Sequence, residues 1–172
     1  CYKKLSMSKK NSSVNLKKVF KNHKDLSNIF LDFKNKLDIF KKKKFLIAVS
    51  GGPDSLALVA LSKAYSSYNK KIKFYYLLVD HNIRKNSSKE AIQVKNLLKK
   101  KKVDLKIIKN KKKIIRNIQG EARNIRYDIL SDFCKKKKIN IILTAHNLED
   151  QVETFFIRLS RGSGLKGLSG MK

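Results

Sequence analysis

Apolar runs of strand length alternate with stretches of helical periodicity along most of this chain. The apolar runs predict strands at residues 45–50, 72–80, 103–109 and 140–145. The periodic stretches predict helices at residues 54–68, 87–101, 119–136 and 147–160. Strands that are apolar on both faces and separated by helices are typical of a parallel sheet covered by helices on both sides. The pattern therefore predicts a doubly wound α/β fold with a mainly parallel sheet.

An additional helix is predicted ahead of the first strand, because apolar residues recur there at helical spacing. These residues are Val19, Leu26, Ile29, Phe30, Phe33, Leu37 and Phe40. We expect this helix to pack beside the sheet. The chain then divides into a basic N-terminal extension that contains the helix, residues 1–43, and an α/β domain, residues 44–172.

A glycine turn joins the first predicted strand to the helix that follows it. The turn reads Ser50-Gly51-Gly52-Pro53-Asp54-Ser55. Two adjacent glycines leave backbone N–H groups accessible, and the helix that starts at the proline points its positive dipole end at them. The turn therefore predicts a phosphate-binding loop, although it has neither the lysine of the common nucleotidase loop nor the third glycine of a dinucleotide fingerprint. The carboxylate of Asp54 predicts a metal ion that bridges to the phosphate.

Histidines follow two of the predicted strands, where a parallel sheet collects its ligands. His81 follows the second strand and His146 follows the fourth. A lone histidine at such a place is more often an ordinary polar residue. Two histidines at equivalent strand ends favour an adenosine or phosphate site.

Three of the chain's 13 acids, Glu149, Asp150 and Glu153, fall within five positions of one predicted helix. Acids in a first helical turn complement the helix dipole, by about 0.3–1 kcal/mol each. That effect does not explain why Glu149 and Glu153 stand four residues apart, because like charges at this spacing repel. The cluster therefore favours binding of a cation.

The predicted helix at 119–136 carries two arginines one turn apart, Arg123 and Arg126. They lie beside a predicted core stripe of Ala122, Ile125, Ile129 and Phe133. The pair can hold one phosphate group or stabilise charge on a transferring group. Surface ion pairs with Glu121 or Asp128 explain the two arginines equally well.

The net charge of +29 favours a polyanionic partner such as nucleic acid. Lysine, asparagine and isoleucine are all abundant, however, and their codons are rich in A and T, so base composition also accounts for much of the charge. Two cysteines, Cys1 and Cys134, make neither a metal cluster nor a disulfide framework and indicate a reducing compartment. No apolar run is long enough to cross a bilayer, so we expect a soluble protein without a membrane partner.

Together these motifs resemble the ATP pyrophosphatases, which split ATP between its α and β phosphates, and within them the tRNA(Ile)-lysidine synthetase family. The resemblance rests on residues 50–55, 79–84, 122–123, 126–127, 144–154 and 158–168. It implies an adenine nucleotide alpha hydrolase-like fold and a PP-loop ATP pyrophosphatase domain over residues 44–172, truncated at its C-terminal end. It also implies a cytoplasmic protein or one of an organelle interior such as the plastid stroma, and it leaves a homodimer open.

The reaction that the resemblance implies joins free L-lysine to the wobble cytidine of tRNA(Ile) with a CAU anticodon. ATP, with Mg²⁺, adenylates the C2 carbonyl oxygen and releases pyrophosphate. The lysine ε-amine then attacks C2 and expels AMP.

The resemblance also assigns roles to individual residues. ATP is bound by Ser50, Gly51, Gly52, Pro53, Asp54, Ser55, His81 and His146, and Asp54 also holds the metal ion. Arg126 stabilises the activated intermediate, while Arg84, Arg123 and Arg161 contact the tRNA or the intermediate. We further expect Asp150 and Glu153 to bind lysine, and one of them to take its proton.

The sequence leaves two other functions open. One is a PP-loop enzyme that thiolates cytidine, which would need paired cysteines that this chain does not have. The other is a basic RNA-binding module without catalysis. Consumption of ATP separates both enzymes from the module.

Overall fold

The computed structural model describes residues 24–41, 43–112, 114 and 117–145. Four helices and four strands alternate over this part of the chain. They are α1 (Lys24–Ile39), β1 (Lys44–Ala48), α2 (Pro53–Tyr68), β2 (Lys73–Asp80), α3 (Ser87–Lys100), β3 (Leu105–Lys109), α4 (Ile118–Lys137) and β4 (Ile142–Leu143). The predicted alternation is confirmed here, with β4 shorter than expected, and the predicted helix at 147–160 lies outside the described residues.

The four strands form one parallel sheet in the order β3-β2-β1-β4. The chain moves outward from β1 through β2 to β3, and then returns to place β4 on the other side of β1. Right-handed crossovers put the connecting helix on opposite faces when the direction of travel reverses. The reversal therefore explains the double winding and creates a switch point between β1 and β4, where parallel sheets open a crevice for ligands.

Each face of the sheet has its own apolar core. Phe45 and Ile47 of β1 pack toward α1, α2 and α3, whereas Leu46 between them packs toward α4. All three side chains are fully buried. This alternation, on a strand that is apolar throughout, confirms the predicted doubly wound fold with helices on both faces.

Helix α1 packs on α2 through a narrower stripe than predicted. Phe30 and Leu37 are buried, and the Phe33 ring meets the Tyr65 ring edge to face at 6.4 Å. The prediction is wrong for three members of the stripe, which remain exposed: Leu26, Ile29 and Phe40. Val19 is outside the described residues.

The core stripe of α4 is shifted by one residue from the predicted one. Leu130 and Cys134 are buried, whereas Ile125 and Ile129 are only half-buried. Ala122 and Phe133 are buried as predicted. Residues 122, 126, 130 and 134 are four apart and share one helix face, so the row that faces the sheet includes position 126.

Within the described part of the chain, none of the helices is both long and apolar enough to cross a membrane.

Candidate nucleotide-binding site

The glycine turn leaves the sheet at the carboxyl end of β1. Gly51 has a φ of +92°, in the region that side chains disfavour, and a Cβ added there would lie 2.8 Å from Cγ2 of Val94 in α3. Gly52 is the N-cap of α2 in extended conformation, with Pro53 as the first helical residue. The turn is therefore tight because Gly51 lacks a side chain, and it presents the N-terminus of α2 to the crevice.

Two serine hydroxyls hold the turn in shape. Ser55 is buried, and its Oγ accepts a hydrogen bond from the Gly51 N–H at 3.1 Å while donating to the Gly52 carbonyl at 2.9 Å. The exposed Ser50 accepts from the Gly52 N–H at 3.3 Å. Both glycine N–H groups therefore donate to serine hydroxyls, so the prediction that they are accessible is wrong, and the N-terminus of α2 is the feature of the turn that suits a phosphate.

Asp54 lies at the rim of the turn, exposed in the first turn of α2. The described residues contain no group of three acids, histidines or cysteines that could hold a metal ion by themselves. Mg²⁺ commonly binds through one or two carboxylates together with substrate phosphates. A single exposed carboxylate beside a phosphate-binding turn fits that mode.

A cleft of about 190 Å³ adjoins the turn at the carboxyl edge of the sheet. Its polar lining comes from four different parts of the fold: Ser50, Ser55, His81, Arg126, Tyr127 and Thr144. The structure therefore brings the turn, His81 and Arg126 together, as expected from their positions after β1, after β2 and on α4.

Arg126 and His81 contact each other inside the cleft. The Arg126 Nε donates to the His81 Nε2 across 3.4 Å. Burial lowers the pKa of His81, and the positive charge of Arg126 lowers it further, against an opposing effect from Asp80. The imidazole is therefore neutral at pH 7, and a neutral ring that accepts at Nε2 carries its proton on Nδ1.

That Nδ1 atom is buried and has no hydrogen-bond partner among the described residues. A buried donor without a partner is costly, by about 1–3 kcal/mol, and native structures rarely keep one. A polar atom of a bound ligand is the kind of group that would satisfy it. His81 therefore fits a role in ligand binding.

The other two described arginines of the prediction lie in different surroundings. The Arg123 guanidinium lies over the Tyr127 ring, 5.4 Å from its centroid. Arg84 is exposed in the loop between β2 and α3. Four predicted site residues fall outside the described part of the chain and stay predictions: His146, Asp150, Glu153 and Arg161.

Sequence reasoning did not single out two buried polar residues next to the cleft, Asp80 and Asn110, each only 4% exposed. Asp80 ends β2, and Asn110 follows β3. The position of an acid at the end of an apolar strand was a usable signal for Asp80. Asn110 offered none, because asparagine after a strand is ordinary turn chemistry.

Comparison with known proteins identifies the family of this chain. A family model described as a PP-loop domain matches residues 11–172. The chain belongs to the PP-loop domain family. Membership implies ATP binding, and the turn at residues 50–55 is the described element suited to it.

Among curated relatives, the tRNA(Ile)-lysidine synthase of Orientia tsutsugamushi (strain Boryong) is 41% identical over 151 residues, 83% of this chain and 33% of that protein. The enzyme of the same name from Wolbachia pipientis wMel is 40% identical over 134 residues, 77% of this chain and 31% of that protein. The chain thus spans about a third of the length of these relatives.

A solved structure has the same fold. It is the U34-tRNA thiolase NcsA from Methanococcus maripaludis with its [4Fe-4S] cluster, which aligns with a TM-score of 0.59 and 19% sequence identity. The alignment covers 81% of this chain and 52% of the thiolase chain. At this identity, the similarity concerns the architecture alone.

Replacing Gly51 with alanine should destabilise the protein by about 1–2 kcal/mol or more, because the new Cβ meets both a disfavoured φ and the Val94 side chain. Urea unfolding measures the change. Gly52→Ala is the matched control, since its Cβ would make only an ordinary 3.6 Å contact with Ser50 Oγ. Equal losses for the two variants would contradict this account of the turn.

The imidazole of His81 should titrate below its ordinary pKa of 6.5, as measured by NMR with His81→Gln used for assignment. The folded state then binds fewer protons than the unfolded state between the two pKa values. The contribution of His81 to the free energy of unfolding is therefore fully present above pH 6.5 and is lost as the pH falls to the pKa of the folded state. The unfolding free energy should therefore depend less on pH in His81→Gln, and a midpoint at or above 6.5 would refute the prediction.

Proposed function

We propose that this chain is the ATP-using part of a tRNA(Ile)-lysidine synthase, which adenylates the wobble cytidine of a tRNA(Ile) with a CAU anticodon and joins lysine to it. The observation that carries the proposal is the meeting of the glycine turn, His81 and Arg126 in one cleft at the switch point of the sheet. The names of relatives about 40% identical support it. Residues 1–43 are proposed as a basic extension, and residues 44–172 as the PP-loop domain.

The turn would bind the phosphates of ATP. The N-terminus of α2 suits a phosphate group, and Ser55 keeps the backbone of the turn in place through its bonds to Gly51 and Gly52. Asp54 would hold Mg²⁺, which when bound neutralises part of the phosphate charge. Pyrophosphate would leave from the turn once the adenylate has formed.

Arg126 would act at the α-phosphate. A carbonyl oxygen of cytidine is a poor leaving group, and adenylation makes it a good one. The transfer places negative charge on the phosphoryl oxygens, which a guanidinium fixed in the cleft stabilises without having to reorient. The neutral His81 suits this role, because an imidazolium at 3.4 Å would repel the arginine.

Lysine would need a base before it attacks. With an amine pKa near ~10.4, only about one free lysine in 2,500 is deprotonated at pH 7. Asp150 and Glu153 are proposed to bind the lysine amines, and one of them to take the proton. Carboxylates that lie close together raise one another's pKa, which makes the one that accepts the proton a better base.

RNA binding is supported by a second groove, of about 660 Å³, at the opposite edge of the sheet. Five lysines line it: Lys63, Lys73, Lys102, Lys106 and Lys137. Asp104 is the only acid among the described residues that line it. Burial lowers the pKa of Lys63, as do the positive charges of Lys102 and Lys101.

Helix dipoles alone do not account for these lysines. The C-terminal ends of α2 and α4 supply about half a negative charge each, and Lys44 donates to the carbonyl of Lys137 at 3.4 Å. Five lysines and one acid give the groove lining a net charge of +4, which is well above the charge of about −1 that the two helix ends supply together. The ammonium groups of Lys73 and Lys106 lie over the rings of Tyr75 and Phe133, at 5.2 and 5.3 Å from the centroids. A groove lined by basic side chains suits a phosphodiester backbone.

A cytidine thiolase is less well supported. The structural similarity to a thiolase is at the level of the fold. Cys134 is buried in the core between α4 and the sheet, and burial raises the pKa of its thiol. That environment suits a core residue and not a cluster ligand or a persulfide carrier.

The decisive assay combines ATP, radiolabelled lysine and a panel of tRNAs. Label should enter the tRNA(Ile) with a CAU anticodon, with release of AMP that requires this tRNA. Asp150→Asn should raise the KM for lysine roughly tenfold or more, because the variant cannot make a charge-assisted hydrogen bond, and leave ATP binding unchanged. Asp132→Asn, an exposed acid on α4, is the control.

Two results would contradict the proposal. RNA binding without any ATP turnover would favour the non-catalytic module. Lysine dependence that is unchanged in Asp150→Asn would remove that residue from lysine binding.

Lys106→Glu should weaken binding of tRNA and flatten its salt dependence by about 0.9 in the logarithmic slope for each phosphate that the variant no longer neutralises. Filter binding between 50 and 200 mM salt, a range over which phosphate contacts dominate, measures both. Lys95→Glu on the exposed surface of α3 changes the net charge equally and is the control. Identical slopes for the two variants would show that the groove adds nothing beyond total charge.

A further inference from the structure

The carboxylate of Asp80 fixes the turn in which His81 lies. Its Oδ1 accepts from the Asn82 N–H at 2.9 Å, and its Oδ2 accepts from the Ser88 hydroxyl at 2.6 Å. Asn82 has a φ of +54°, which asparagine tolerates better than most residues. The bonds tie the end of β2 to the first turn of α3, with His81 in the middle of the turn.

Asn110 holds the same turn from the neighbouring strand. Its backbone N–H donates to the Asp80 carbonyl at 2.7 Å, and its Nδ2 donates to the His81 carbonyl at 3.5 Å. The side chain also closes its own turn, donating to the Lys112 carbonyl and accepting from the Lys112 N–H, both at 2.8 Å. The backbone of His81 is thus held from α3 on one side and from β3 on the other.

The contact between His81 and Arg126 depends on this hold. At 3.4 Å it is already near the long limit for a hydrogen bond, so a shift of about half an ångström would break it. Both holding side chains are buried, and burying a carboxylate or an amide is unfavourable unless its hydrogen bonds are made. Their bonds converge on the backbone at residues 80–82.

We propose that Asp80 and Asn110 are positioning residues of the nucleotide site: through the turn at 80–82 they orient the imidazole of His81, and His81 in turn orients the guanidinium of Arg126. Neither residue is among those that line the cleft. This inference rests on the proposed function only for the identity of the ligand, a nucleotide, that His81 and Arg126 would contact.

The charge state of Asp80 agrees with this role. Burial raises its pKa, but hydrogen bonds, that from Ser88 foremost, more than offset the effect, so the pKa lies below its ordinary value. The carboxylate is therefore ionised at neutral pH and accepts at both oxygens.

The test compares Asn110→Ala with Asn69→Ala. Asn69 follows α2 and accepts from the Lys71 N–H at 3.1 Å, so it closes the same kind of turn away from the cleft. Neither change alters a charge. In Asn110→Ala the His81 imidazole should leave Arg126, and its pKa, followed by NMR, should rise toward 6.5. In Asn69→Ala the pKa should match that of the unchanged protein.

Nucleotide affinity gives a second readout. Asn110→Ala should weaken ATP binding about fivefold, the size expected from one net hydrogen bond, and should have no effect in a His81→Gln background. The inference would be overturned if Asn110→Ala weakened ATP binding equally with and without His81→Gln. An unchanged His81 pKa in Asn110→Ala would overturn it as well. If the alanine variant does not fold, Asn110→Ser keeps an acceptor for Lys112 but cannot reach the His81 carbonyl, and the same outcomes apply.

The two proposals fail in different ways. Absence of ATP binding in the unchanged protein would count against the proposed function. The NMR titration of His81 would still decide whether Asn110 positions it.

Discussion

The return of the chain from β3 to β4 is the constraint on which the site depends. Because β4 pairs with β1 and not with β3, helix α4 crosses the face of the sheet that α2 and α3 leave uncovered. The crossing carries Arg126 over the carboxyl ends of β1 and β2. If the sheet had continued outward in chain order, α4 would have packed on the same face as α2 and α3. The cleft would then have lacked Arg126.

Charge is handled differently at the two edges of the sheet. At the carboxyl edge, one arginine is held by a neutral histidine, beside a buried ionised carboxylate that fixes the turn. At the amino edge, lysines gather around a groove with one acid among its described lining residues. The first arrangement suits a single phosphoryl group in a fixed geometry. The second suits an extended polyanion, whose contacts need charge more than geometry.

Much of this was accessible from the sequence, for identifiable reasons. The turn at residues 50–55 combines a strand end, two glycines and a helix start within a few residues. Adjacent residues alone therefore indicate it. The orientation of Arg126 toward the sheet was harder to predict. Its side chain belongs to the row of Ala122, Leu130 and Cys134 that faces the sheet, but the predicted stripe was one residue away, because isoleucines at 125 and 129 suggested a different buried face.

The strands, the order of the elements and the glycine turn could all be predicted from the sequence, because each depends on neighbouring residues and their periodicity. Folding was needed to bring Asn110 to the turn around His81 and to bring His81 to Arg126, 45 positions further along the chain. These contacts join residues at two strand ends, those of β2 and β3, with residues of helices α3 and α4. They come together because the register of the sheet and the packing of α4 bring them within hydrogen-bond distance, and no local pattern encodes that distance.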